Sequence, residues 1–136
     1  MLYLCCPYSH SSPTIREHRY HTSCIAAAKL LQAGIVVFNP LANSIPAEEF
    51  GKINLRHDQW MAIDLPILCR SDEILVLSLD GWEQSLGVRK EMFQAMALRK
   101  PITLISEADI ECLPAIPKTA RYFLTSSIFT EVYDAD

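Results

Sequence analysis

A chain of 136 residues, half of them hydrophobic and 21% charged, is large enough to bury one core and small enough to need only one. Its net charge of −4 and pI near 5.5, with no basic run, argue against a nucleic-acid backbone as the main partner. A small anionic ligand held by a few local donors stays open. No stretch reaches the roughly 18 apolar residues that cross a bilayer. MLYLCCPYSH lacks the basic start and long apolar run of a signal peptide. Of five cysteines (Cys5, Cys6, Cys24, Cys69, Cys112), with no CxxC, four lie in apolar surroundings and read as small hydrophobes in a reducing, cytoplasmic setting.

In chain order, short apolar runs alternate with longer helical patterns, the mark of a parallel sheet covered by helices. Residues 2–6 predict a first strand stopped by Pro7, and 15–32 a helix that Gly34 ends. A second strand over 35–38 runs into Asn39-Pro40. Residues 41–58 show no period and contain Pro46 and Gly51, so a long connection is expected there. Further elements follow at 59–69 (helix, with Pro66 inside), 73–78 (strand), 86–99 (helix) and 102–105 (strand). Residues 121–127 are a candidate fifth strand, and 128–133 a short closing segment. With no repeat, linker or low-complexity tract, residues 1–136 form one domain. Right-handed crossovers put the switch point beside the first strand, so ligands are expected at the carboxyl ends of the strands. Tyr8, Ser9, Asn39 and Ser85 all fall at those ends.

Four glycines (Gly34, Gly51, Gly81, Gly87) cannot write GxGxxG or GxxxxGK[ST], which removes the usual phosphate cradles, and no GxSxG elbow occurs. His18, His21 and Cys24 share a predicted helix face, but an exposed polar stretch is the simpler reading of REHRYHTSC. No metal and no cofactor are expected.

The carboxylates carry the chemistry. At 100° per residue from Val88, Glu91 falls at about 300°, between Ala95 at about 340° and Leu98 at about 280°, so it borders the buried face. Gly87, one turn earlier on nearly the same side, leaves room for a ligand. Ser85 is placed to cap this helix, where free amides suit an anion. A carboxylate so placed can attack an acetal-like carbon, and a second carboxyl must then protonate the leaving group. Asp64, inside MAIDLPIL, is the candidate, because a lone acid among apolar neighbours is costly unless partnered or functional. The structural alternatives are a helix-turn cap at Asp64 before Pro66, and an ion pair between Glu91 and a nearby Lys or Arg.

The pattern D-L-x-x-L-x-x-x-D, a hydrophobic strand, then S-L-G-V-x-x-E and K-P-I resembles the nucleoside 2-deoxyribosyltransferase superfamily, including its nucleotide N-glycosidase members. LYLCCPYS, REHRY, the later NP and DGWEQSLGV look closer still to a small bacterial and phage family of unknown function within that fold. The resemblance covers residues 2–106 and implies a flavodoxin-like three-layer α/β sandwich with a mostly parallel sheet of four to five strands. It also implies hydrolysis or transfer at the N-glycosidic bond of a nucleoside or nucleotide. Glu91 matches the nucleophile, Asp64 the leaving-base acid, and Ser85 a phosphate-contacting serine. Tyr8 falls in the loop that supplies an aromatic hydroxyl. The loop CCPYSH departs from the glycine-rich form of the nucleotide-cleaving members, and Trp82-Glu83-Gln84 occupies the approach to Ser85.

The other functional reading is a non-catalytic nucleotide-binding or interaction module on the same fold, since fold alone does not decide activity. Trp60, Met61, Trp82 and Phe50, expected in or beside loops near the site, suggest an apolar surface. The resemblance likewise implies an oligomer in which a neighbour completes the site, and a homodimer is expected.

Overall fold

The computed structural model describes residues 1–116. Four parallel strands form one sheet in the order β2-β1-β3-β4: β1 Leu2–Cys5, β2 Val37–Phe38, β3 Glu73–Leu77 and β4 Ile102–Ile105. The register pairs Leu2 with Val37 on one side of β1 and Leu2 with Glu73 on the other. Because side chains alternate along a strand, each central strand feeds two cores. Leu2, Leu4, Leu75 and Leu77 enter one cluster with Ala26 and Leu30 of helix α1 (Pro13–Gln32) and Ile110 of α5 (Glu107–Ile110). Tyr3, Cys5, Ile74 and Val76 enter the other with Leu68 of α3 (His57–Arg70) and Val88, Met92 and Ala95 of α4 (Leu86–Ala97). The result is the expected α/β three-layer sandwich.

Helix α1 starts two residues earlier than its apolar period implied, with Ser12 as cap and Pro13 in the first turn. It ends as Gly34 predicts. Gly34 has φ +81°, its N–H donates to Leu31 O (2.9 Å), and the Ile35 N–H donates to Leu30 O (3.0 Å).

The segment read as a connection is different. Residues Pro40–Gly51 form helix α2, capped by Asn39, whose side chain accepts from the Leu41 N–H. Only Pro40 of this helix is buried, and Leu41 and Ile45 face a cleft instead of the core. A helix with no core-facing stripe leaves no apolar period to find. Helix α3 contains Pro66, as expected, and extends the anticipated 59–69 span to His57–Arg70. The candidate strand at 121–127 and the closing segment lie outside the described residues. Strand β1 passes to β2 on one side and β3 follows on the other, so the switch point opens between the carboxyl ends of β1 and β3.

Candidate active site

A cleft of about 590 Å³ lies at that edge, between the β1–α1 loop, α2, α3 and the start of α4. Tyr8, Ser9, Asp64, Ser85, Gly87 and Glu91 all line it. Asn39 does not. Its amide is committed to structure: Nδ2 donates to Ser23 Oγ (3.0 Å) and Oδ1 accepts from Leu41 N (3.2 Å). Asn39 thus shapes the entry to α2.

Glu91 and Asp64 are brought together from two helices. Glu91 is 7% exposed and Asp64 8%, and one oxygen of each (Glu91 Oε2, Asp64 Oδ1) is buried without a hydrogen-bond partner. No basic group pairs with either among the described residues. The ion-pair role for Glu91 is therefore not what the structure shows. Asp64 sits mid-helix in α3 and does not cap a terminus. Stranding a buried carboxylate oxygen costs about 1–3 kcal/mol or more, so both positions are unfavourable for folding alone.

Burial pushes Glu91 up to about 8. The Cys5 thiol and Tyr3 hydroxyl oppose this by facing its carboxylate, and the charge of Asp64 adds to it. Burial raises Asp64 to about 6. Both carboxyls are thus harder to ionise than free ones, Glu91 the more so because the charge of Asp64 adds to its burial.

Tyr3 was hidden in the strand pattern. It alternates with Leu2 and Leu4, so its ring points to the α3/α4 side, fully buried against Phe38 with centroids 5.9 Å apart. Its hydroxyl also has no hydrogen-bond partner, and burial together with Glu91 drives its pKa far upward. It stays a neutral donor beside the carboxylates. Tyr8 also lines the cleft, but from the loop. The one available signal for Tyr3 was a lone aromatic hydroxyl in an otherwise apolar strand.

Around this pair the backbone is shaped for access. Ser85 Oγ accepts from the Val88 N–H (3.3 Å), capping α4 as its sequence position predicts. A Cβ added at Gly87 would lie 3.7 Å from Glu91 Oε1 and 3.4 Å from His57 Cε1, so glycine keeps the approach to that oxygen open.

Arg19, unremarked in the polar run REHRYH, is 6% exposed. Its Nη1 donates to the carbonyls of Ser9 (3.0 Å) and Tyr8 (3.4 Å), and Nη2 donates to Asp80 O (2.8 Å). It ties the β1 loop to the β3 loop. Gly81, at φ +83°, holds a backbone conformation that favours glycine, and a Cβ there would meet Arg19 Nη2 at 2.8 Å and shift it. The α1 stripe Arg19, Thr22, Ser23, Ala26, Ala27 and Leu30 shows the helical period that marks Arg19 as inward-facing.

Elsewhere, His18 turns to Glu107 (2.8 Å) and His21 to Glu17 (3.9 Å). Among the described residues no cluster of three His, Cys, Asp or Glu side chains gathers, and no helix is long and apolar enough to cross a membrane. The expected aromatic surface also needs correction. Trp60 and Met61 lie on α3, Met61 is buried, Trp82 packs against the second core cluster, and only Phe50 stands out, at 78% exposed.

Comparison with known proteins agrees with this architecture. No curated protein matches the chain. Among solved structures, a 2-deoxyribosyltransferase from Bacillus psychrosaccharolyticus superposes with a TM-score of 0.58 at 18% identity, covering 99% of this chain and 91% of that one. At that identity the likeness is one of fold. The sequence profile described as "Domain of unknown function (DUF1937)" matches residues 1–107, and the chain belongs to that family.

Proposed function

We propose that the protein cleaves the N-glycosidic bond of a nucleoside or nucleotide with retention, releasing the base to water or exchanging it for another. The observation that carries this reading is the pair of buried carboxyls, Glu91 and Asp64, that line one cleft, each with an oxygen that has no hydrogen-bond partner. A carboxylate oxygen of Glu91 attacks C1′ as the C1′–N bond breaks, and the bonding pair leaves with the base nitrogen. Asp64 supplies the proton that neutralises the departing base. Water or an incoming base then attacks C1′, returns its proton to Asp64, and frees Glu91. One proton for two carboxyls is the count this cycle needs, and the positive charge growing on the sugar favours the ionised form of Glu91. In this reading Tyr3, buried beside Glu91, donates to it during the reaction and holds its reacting oxygen in line. Ser85 and the open amides of α4 suit a 5′-hydroxyl or phosphate.

The test is incubation with 2′-deoxynucleosides and their 5′-monophosphates, watched for free base. Base release should follow a bell-shaped pH profile with limbs near 6 and 8, the values of the pair. Binding without release by any of them would make the domain a nucleotide-binding module instead. We also propose a homodimer, whose absence light scattering would report as a 15.4 kDa species. A cytoplasmic setting fits Cys5, Cys6, Cys24, Cys69 and Cys112, all of which are free.

A further inference from the structure

Helix α2 brings one charged side chain to the cleft wall. Trp60 Nε1 donates to Glu48 Oε1 at 2.7 Å, and both residues line the cleft. The bond fixes the carboxylate in one orientation. No basic group pairs with Glu48 among the described residues, and Oε2 makes no hydrogen bond there. Trp60 and Asp64 lie four residues apart on α3, so they share a face about 6 Å apart along the axis, roughly the width of a nucleobase. A base whose glycosidic nitrogen is near enough to Asp64 to be protonated therefore extends its far edge toward Trp60 and Glu48. Ile45 and Leu55 supply apolar walls on the way.

A held carboxylate accepts hydrogen bonds and donates none. It attracts the exocyclic amino group of cytosine, adenine or guanine, and it repels the carbonyl oxygens that flank N3 in uracil and thymine. We infer that Glu48, oriented by the Trp60 indole, is a specificity-determining residue that selects nucleosides whose base carries an exocyclic amino group. The inference rests on the reading of the cleft as a nucleoside site and adds the class of base.

The simpler role for Glu48 is to fasten α2 to α3. Glu48→Gln separates the two, because the glutamine oxygen still accepts from the indole while its amide presents donors where Oε2 presented an acceptor. Deoxycytidine and deoxyuridine differ at the amino position, as do deoxyadenosine and deoxyinosine. Dissociation constants for both pairs, with base release in parallel, are measured on wild type and Glu48→Gln. Wild type should favour the amino member by about tenfold, the scale of one charge-assisted hydrogen bond. Glu48→Gln should bring the ratio to one or invert it, with an unchanged melting temperature. Equal binding of the two members by wild type, a ratio that survives Glu48→Gln, or binding of no nucleoside would overturn the inference. Base release without amino preference would overturn it and leave the glycosidic reading standing. Amino preference without base release would do the reverse.

Discussion

The two faces of the sheet are built from the same four strands and end differently. On the α1/α5 side, Leu2, Leu4, Leu75, Leu77 and Leu30 close into an apolar cluster. On the α3/α4 side the apolar cluster of Val76, Leu68, Val88 and Met92 shares its layer with Tyr3 of β1, Asp64 of α3 and Glu91 of α4, three polar groups each with an atom lacking a hydrogen-bond partner. One side is organised for stability. The other gives up stability locally to keep two carboxyls dry. A domain with only about 5–15 kcal/mol of net stability does not hold such groups without a use for them.

Substitutions on the two faces should therefore fail in opposite ways. Glu91→Gln keeps the shape and removes the nucleophile, so base release should fall by at least about a thousandfold while the fold persists. Leu30→Ala, on the closed face, should cost about 3 kcal/mol of stability in denaturant titration, with activity per folded molecule retained. The reverse assignment, a stable but inactive Leu30→Ala, would break the contrast.

The third difference is one of pH. Glu91 is raised from 4.5 to about 8 in the folded state, so the native protein binds a proton that the unfolded chain releases. Its contribution is full below pH 4.5 and is lost as pH rises toward 8. Wild type should lose stability over that window, on the order of 3 kcal/mol by neutral pH, relative to Glu91→Gln, whose side chain does not titrate. Melting curves of both proteins at pH 5 and pH 7.5 measure it, and parallel behaviour would mean that Glu91 is better solvated than the structure shows. The smallest effect belongs to Ser85→Ala. Losing the cap of α4 should lower stability by about 1 kcal/mol, and weaken monophosphates more than nucleosides if the amides there meet phosphate.

Legibility followed packing. β1, β3, β4, α1 and α4 were readable because their side chains answer to a core, which imposes period two or period 3.6. Glu91 was readable for the same reason, as the polar residue at the margin of the α4 stripe. Helix α2 was not, because its inner face answers to a cleft and Pro46 disguises it. Its start was still signalled by Asn39 followed by Pro40, a cap and a first-turn proline read as the end of a strand. The same Asn39 stands among the polar residues at the strand ends, and its amide bonds to Ser23 and Leu41 show a structural role there that spacing does not reveal. Tyr3 and Arg19 share a different obscurity. Alternation and helical period say which way each points, but not that one meets Glu91 and the other three loop carbonyls, since these contacts span separate elements.

The central claim is that Glu91 forms a covalent bond to the sugar. A 2′-deoxy-2′-fluoroarabinosyl nucleoside, whose fluorine slows the second step more than the first, allows that bond to accumulate. Intact-protein mass spectrometry followed by peptide mapping should show one fluorinated sugar per chain, located on Glu91 and absent from Glu91→Gln. Base released in stoichiometric amount from unmodified protein, or a sugar found on any other residue, would contradict the account.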